Sequence, residues 1–248
     1  MLNDLDWIIV PGGPCMSATY LKHGFAGTFA GYKLHYYDPL GAPELKINHV
    51  PTIDELVDQI FAVAAAKKFK RFGLITHSFG SYLAMKVLER VGHGIVALIM
   101  VSPLPFTADH TKKAFQYLIS IIPKPLFKRI YELAEDVNNG PEIFNLFFPY
   151  YAAKPTKSLP RIPFDSKLCD QILDQIGNYD NTALLLSCNI PWTSIIGGLD
   201  PFYIEKDLLS EHTILISGVG HYPFFEDPAA FAEATKNIEK RLSYKNTK

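Results

Sequence analysis

Three cysteines in 248 residues, Cys15, Cys169 and Cys188, are odd in number and widely separated, so they form neither a disulfide framework nor a zinc-ligand spacing. No apolar run approaches the roughly 18 to 20 residues of a membrane span. The first residues, Met1-Leu2-Asn3-Asp4-Leu5-Asp6, lack the cationic start and sustained apolar stretch of a secretory leader, and a reducing cytoplasm is the expected location. Net charge is nearly absent as well, since 24 Lys and Arg stand against 25 Asp and Glu. Such a balance offers no broad basic face, and neither nucleic acid nor anionic lipid is an expected partner. The densest basic cluster, Lys67-Lys68 with Lys70-Arg71, reads as a solvated helix end. No internal repeat or low-complexity tract is visible, and no metal or cofactor is called for.

Apolar content is ample: 48% of the residues are hydrophobic, enough for one large core. Apolar runs at 7–10, 32–38, 72–76, 95–102, 191–197 and 213–217 have strand length, and helical periodicity separates them in the first half of the chain. A helix is expected around 17–29. Thr52-Ile53-Asp54-Glu55 is a capping box that opens a second, to about Lys68. A third follows residue 78 and ends near Val91. Alternating strands and helices imply a mostly parallel sheet of about six strands with helices on both faces. From about Leu104 to Ile190 the rhythm breaks: helical patterns are interrupted by Pro123, Pro125, Pro141, Pro149, Pro155, Pro160 and Pro163, with no βαβ unit. We read 1–103 and 191–248 as an α/β core and 104–190 as a helical cap inserted into it.

Ser78 sits at the centre of Thr76-His77-Ser78-Phe79-Gly80, between a buried strand and an amphipathic helix. A sharp strand-to-helix turn there lifts a serine oxygen above the sheet edge and aims the helix N-terminus at the reacting group. Gly80 is small because helix and strand nearly touch. Thr76 stands where such elbows usually carry glycine, so its side chain must be tolerated in the crossing. Downstream, Asp200 follows the strand 191–197 and a Gly197-Gly198 turn, and the loop Gly218-Val219-Gly220-His221-Tyr222-Pro223 presents His221. Serine is a weak nucleophile unaided; an imidazole takes its proton and a carboxylate fixes the imidazole tautomer. Asp109, after the strand 95–102, is the alternative acid. The turn Val10-Pro11-Gly12-Gly13-Pro14 follows the first strand and supplies oxyanion donors: Gly13, because Pro14 has no N–H, together with the amide of Phe79.

With nucleophile, acid and base in the order Ser, Asp, His, the chain resembles the α/β-hydrolase superfamily from about Trp7 to Leu242. Gly12-Gly13-Pro14 with Ser17 and Tyr20-Leu21 looks most like the proline iminopeptidase branch and its esterase relatives. Members usually have His before the two glycines and Gly after the proline, where this chain has Pro11 and Cys15. Their Asp-Gln-Arg-Gly stretch corresponds to Asp38-Pro39-Leu40-Gly41. Gly220-His221-Tyr222-Pro223 with Glu226, Asp227-Pro228 and Phe231 is similar to the superfamily's histidine loop. The resemblance implies a cap after the sixth strand of a full eight-stranded sheet. With six residues before Trp7, the leading hairpin of that sheet is expected to be missing.

The expected activity is therefore that of a cofactor-independent serine hydrolase acting on a small-molecule carboxylic ester of a small or medium apolar acid, a carboxylesterase before an aminopeptidase. An aminopeptidase of the proline iminopeptidase type is the first alternative, and a ligand-binding or signalling protein on a hydrolase scaffold is the second. Phe115, Tyr117, Leu118, Ile119, Ile121 and Ile122, and Phe144, Leu146, Phe147, Phe148, Tyr150 and Tyr151, make the cap greasy; most are expected to pack it onto the core, with some left for the pocket wall. An aminopeptidase also needs carboxylates for the substrate ammonium. Glu132, Glu135, Asp136 and Glu142 read instead as a solvated helix face.

Overall fold

Six short runs become the six strands of one sheet in the computed structural model, which describes residues 4–90, 92, 94–156, 160–203 and 210–243. They are β1 (Asp6–Val10), β2 (Lys33–Tyr36), β3 (Phe72–Ser78), β4 (Ile95–Pro103), β5 (Trp192–Gly197) and β6 (Thr213–Ile216). Every pairing is parallel and the order is β2-β1-β3-β4-β5-β6. Helices α1 (Thr19–Gly24), α2 (Ile53–Ala66) and α3 (Phe79–Leu88) connect the first four strands. Then α4 (Ala108–Ile121), α5 (Lys124–Leu133), α6 (Gly140–Tyr151), α7 (Ser166–Leu173) and α8 (Thr182–Ser187) lie between β4 and β5, and α9 (Pro223–Glu226), α10 (Pro228–Lys236) and α11 (Ile238–Ser243) follow β6.

Because successive strand side chains point to opposite faces, the central strands β1, β3 and β4 each feed two cores. Ile8, Val10, Leu74, Leu98 and Met100 pack with Leu56 and Ile60 of α2 and Leu83 of α3. Trp7, Ile9, Ile75, Ile99 and Val101 pack on the other face with Tyr20 and Leu21 of α1, Phe231 of α10 and Ile238 of α11. That two-sided burial is why these central strands read as unbroken apolar runs.

The capping box forms as expected: Thr52 Oγ1 accepts the Glu55 N–H at 3.2 Å, and Glu55 Oε2 accepts the Thr52 N–H at 2.7 Å. Helix α1 is much shorter than the 17–29 expected. Asp38 Oδ1 takes both the Ser17 hydroxyl and the Ala18 N–H, each at 2.8 Å, which fixes the start, and Gly27 at φ 77 leaves helical geometry soon after the end. Helix α3 stops at Leu88; Val91, its expected limit, lies outside the described residues. Between β4 and β5 the described residues hold helices and no strand. Pro123 precedes α5, and Pro125 and Pro141 sit in first turns, where the missing N–H costs nothing, but α6 runs on through Pro149. The two ends of this segment are pinned together by Ala108 N–H to Tyr179 O at 2.9 Å and Asn181 N–H to Phe106 O at 2.8 Å.

After β1 the chain moves to one side to make β2 and then crosses back to make β3 on the other side of β1. The loops leaving β1 and β3 therefore diverge and open a crevice above the strand C-termini, where ligands bind in such sheets. At the crevice floor α3 crosses the end of β1 so closely that a Cβ on Gly80 would lie 2.5 Å from Val10 O and 2.7 Å from Pro11 O, both backbone atoms. Gly80→Ala is expected to cost about 1–3 kcal/mol of stability through that clash. A thermal midpoint equal to the parent's would show that the crossing has slack.

Candidate active site

Strand β3 ends on Ser78, whose φ of 51° and ψ of −122° put a non-glycine residue in strained backbone, and α3 begins at the next residue. The turn aims the unpaired first amides of α3 at the space beside the hydroxyl. Ser81 Oγ donates to Ser78 O at 2.7 Å and accepts the Leu104 N–H at 3.1 Å, which braces the elbow against the residue after β4. Thr76 is accommodated, fully buried, with its hydroxyl lacking a partner among the described residues.

The turn after β5 carries Asp200, whose N–H bonds back to Gly197 O at 3.1 Å and whose Oδ1 accepts the Phe202 N–H at 2.9 Å. His221 Nδ1 lies 2.9 Å from Asp200 Oδ2 and 3.1 Å from Oδ1, and its Nε2 lies 2.9 Å from Ser78 Oγ. Both side chains are 1% exposed. A carboxylate only accepts, so Nδ1 carries the proton and Nε2 turns its lone pair to the serine. Asp109 stands apart from this arrangement: it sits 69% exposed in the first turn of α4, paired with Lys113 at 2.6 Å.

Backbone bonds hold the histidine loop to the end of α6. The His221 N–H donates to Tyr151 O at 2.8 Å. Glu226, buried in α9, accepts the Gly220 N–H at 2.8 Å and the Ala153 N–H at 2.7 Å on Oε2, and the Tyr222 N–H at 3.1 Å on Oε1. Gly13 and Phe79 flank Ser78 at the cavity floor. The Gly12 N–H is engaged by Tyr20 Oη at 2.7 Å, and Gly13, at φ 43, turns its carbonyl to the Met16 N–H at 3.0 Å. The buried Cys15 thiol is pushed up to about 12 and the partly buried Cys169 thiol is raised as well, so both stay protonated near neutrality.

Over Ser78 lies a cavity of about 330 Å³, walled by Phe115, Leu118, Ile119 and Ile122 of α4 and the following turn, Phe144, Phe147, Phe148 and Tyr151 of α6, and residues of α5 and α7. Several aromatics assigned to cap packing thus face the cavity, whereas Tyr117 and Ile121 are exposed to solvent. Glu132, Glu135 and Glu142 make surface ion pairs with Lys128, Lys167 and Arg129. None of them lines the cavity. The lining carboxylate is Asp170 of α7, held upward from the usual range by partial burial and by Asp174. Nothing in the sequence around Asp170 sets it apart from a solvated helix residue. The sequence reading also assigned no role to Tyr20 or His77, which lie against the site: His77 is 1% exposed, with Nδ1 2.7 Å from Tyr20 Oη and Nε2 3.2 Å from His221 O.

Burial, and then the nearby His221, depress the His77 imidazole well below the ordinary histidine range, so it is neutral in the folded protein. Below about pH 6.5 the unfolded chain binds a proton there that the folded chain refuses, so stability falls with falling pH, by up to about 1.4 kcal/mol per pH unit. Thermal midpoints measured from about pH 7.5 to 5 are expected to drop, and His77→Gln to flatten that drop. Equal slopes in the two proteins would assign the acid sensitivity elsewhere.

Solved structures with this fold are similar in shape and distant in sequence. A proline iminopeptidase-related protein from Thermus thermophilus superposes with a TM-score of 0.66 at 21% identity, over 97% of this chain and 91% of that one. A proline iminopeptidase from Mycobacterium smegmatis gives 0.68 at 18% identity, over 98% and 92%. A thermophilic esterase from Thermogutta terrifontis gives 0.64 at 16% identity, over 96% and 90%. No curated protein sequence matches the chain. The profile of the Alpha/beta hydrolase family matches residues 7–234, nearly the whole length, and the chain belongs to that family of hydrolases.

Proposed function

We propose that the protein is a serine hydrolase that cleaves carboxylic esters of small or medium apolar acids through an acyl-enzyme at Ser78. The observation that carries this reading is the placement of Ser78 Oγ, 2.9 Å from His221 Nε2, at the floor of an apolar cavity. Ser78 Oγ attacks the ester carbonyl as His221 Nε2 takes its proton, and the carbonyl π electrons move to oxygen. The Gly13 and Phe79 amides stabilise that oxyanion; the neighbouring Gly12 N–H, committed to Tyr20, is not a candidate donor. Collapse breaks the ester C–O bond, and His221 returns the proton to the departing alkoxide. Water then attacks the acyl-enzyme with His221 again as base, releasing the acid and restoring Ser78. Asp200 holds the imidazole in the tautomer both steps need.

The cap cavity supports an apolar acyl group. Its size lies in the range that encloses small organic ligands. Asp170 supports a second reading, an aminopeptidase of the proline iminopeptidase type, in which that carboxylate would receive the substrate ammonium. A panel of acyl esters of rising chain length against amino-acid arylamides separates the two: a requirement for a free α-amine, abolished by Asp170→Asn, favours the peptidase.

A fluorophosphonate probe is expected to label Ser78, and Ser78→Ala to lower kcat by on the order of 10⁴ or more with the fold intact. Asp200→Asn should cost on the order of 10² to 10⁴ in kcat, and Asp109→Asn nothing measurable. Full activity in Ser78→Ala, or the reverse order of the two Asn variants, would refute the assignments.

If the cavity receives the acyl chain, each buried methylene contributes up to about 0.8 kcal/mol, and kcat/KM should climb by up to about fourfold per carbon until the cavity is full. Acyl groups bearing a carboxylate should be poor substrates, since no lysine or arginine lines the cavity among the described residues to replace their hydration. A preference for acetyl over butyryl and hexanoyl esters would place the chain elsewhere.

A further inference from the structure

One hydrogen-bond chain links the turn after β1 to the histidine loop, passing directly behind Ser78. The Gly12 N–H donates to Tyr20 Oη at 2.7 Å, Tyr20 Oη lies 2.7 Å from His77 Nδ1, and His77 Nε2 lies 3.2 Å from the backbone oxygen of His221. Proton positions follow from the two ends. The His221 carbonyl can only accept, so His77 Nε2 carries the hydrogen; Nδ1 is then a bare lone pair, and the Tyr20 hydroxyl must donate to it. That leaves a Tyr20 lone pair for the Gly12 N–H. Every donor in the chain points the same way, from Gly12 to His221, and none is left over.

Both ends are backbone groups beside the reacting atoms. Gly12 immediately precedes Gly13, and it packs so tightly on the elbow that a Cβ there would lie 2.7 Å from His77 Nδ1 and 2.8 Å from Ser78 Cβ. The other end is the main chain of His221 itself. The chain is also sheltered: Tyr20 and His77 are each 1% exposed, and the His77 ring is flanked by Tyr20, His221, Tyr222 and Phe224 at centroid distances of 5.5, 5.1, 5.3 and 5.2 Å. No carboxylate is among these neighbours. A neutral donor suits this position, because the His221 ring becomes a cation during turnover and a second cation beside it would oppose that charge.

We propose that Tyr20 and His77 are positioning residues for the hydrolysis, holding the oxyanion turn and the general base in register across Ser78; this rests on the triad reading above. Their hydrogen bonds fix the plane of the Pro11–Gly12 peptide, one residue before the Gly13 amide, and the height of the His221 backbone together, so loss of either one lets both ends drift. Displacements well under an ångström suffice to slow a reaction of this kind.

The test is a coupled set of variants assayed for kcat and KM on one soluble ester, with thermal midpoints measured alongside: Tyr20→Phe, His77→Leu, the double variant, His77→Gln, and Ser78→Ala as the blank. Tyr20→Phe and His77→Leu are each expected to lower kcat roughly 10- to 100-fold with little change in KM. The double variant should be no worse than the weaker of the two, because both break one chain. Glutamine can accept from Tyr20 and donate to the His221 carbonyl through one side chain, so His77→Gln should recover most of the kcat lost in His77→Leu. If His77→Leu does not fold, Tyr20→Phe and His77→Gln still decide the matter. An unchanged kcat in Tyr20→Phe, losses that multiply in the double variant, or no recovery with glutamine would overturn the positioning role. Activity surviving in Ser78→Ala would instead remove the triad reading.

Discussion

The site depends on one backbone constraint: Ser78 held at positive φ between a buried strand and a helix that starts at once. A non-glycine residue in that region costs about 1–3 kcal/mol, and it persists only where the surroundings leave no alternative. Here the surroundings are the sheet and the crossing at Gly80. Strand β3 is buried along its whole length, and α3 lies against the backbone of Val10 and Pro11, so the chain can neither straighten nor slide. Relaxing the elbow would mean separating α3 from β1. The first helical amides and the serine hydroxyl are fixed in one place for the same reason, which is what preorganisation of a site requires.

Much of this was readable from residue order. The apolar runs at 7–10, 72–76 and 95–102 are strands because both sheet faces are covered, and the capping box at Thr52 and Glu55 is a local signal that tertiary packing left intact. Ser78, Asp200 and His221 stood out because each follows a strand, and strand C-termini converge at the crevice. Three things were hidden. Helix α1 was over-extended because the bond from Ser17 to Asp38 joins residues 21 apart, which no periodicity reports. The cavity wall was ambiguous, since an aromatic in an amphipathic helix has the same pattern whether it faces a core or a void, as Tyr117 and Phe115 show. His77 was silent because its meaning lies in two hydrogen bonds, one of them to a residue 144 positions away, and Tyr20 entered only as part of a resemblance that gives it no role.

The same scaffold carries proteins described as proline iminopeptidases and as an esterase, so the sheet and elbow alone do not choose the bond to be cleaved. What this chain adds over Ser78 is the segment between β4 and β5, whose walls are aromatic and aliphatic with the Asp170 carboxylate at the lining. The ion pairs on its outer surface, such as Arg129 with Glu142, sit in water and contribute little.

Glu226 gives this architecture an asymmetry. Its carboxylate gathers the amides of Gly220 and Tyr222 on one side and of Ala153 and Lys154 on the other, and the Lys154 ammonium adds a contact to Asp227 at 3.0 Å. The chain leaving α6 is thereby riveted to the loop that carries His221. The position of His221 relative to Ser78 is therefore tied to that of Tyr151, the last residue of α6. The segment between β4 and β5 is consequently anchored to the rest of the molecule through the end of α6, and it is held there by the same carboxylate that orders the loop carrying His221.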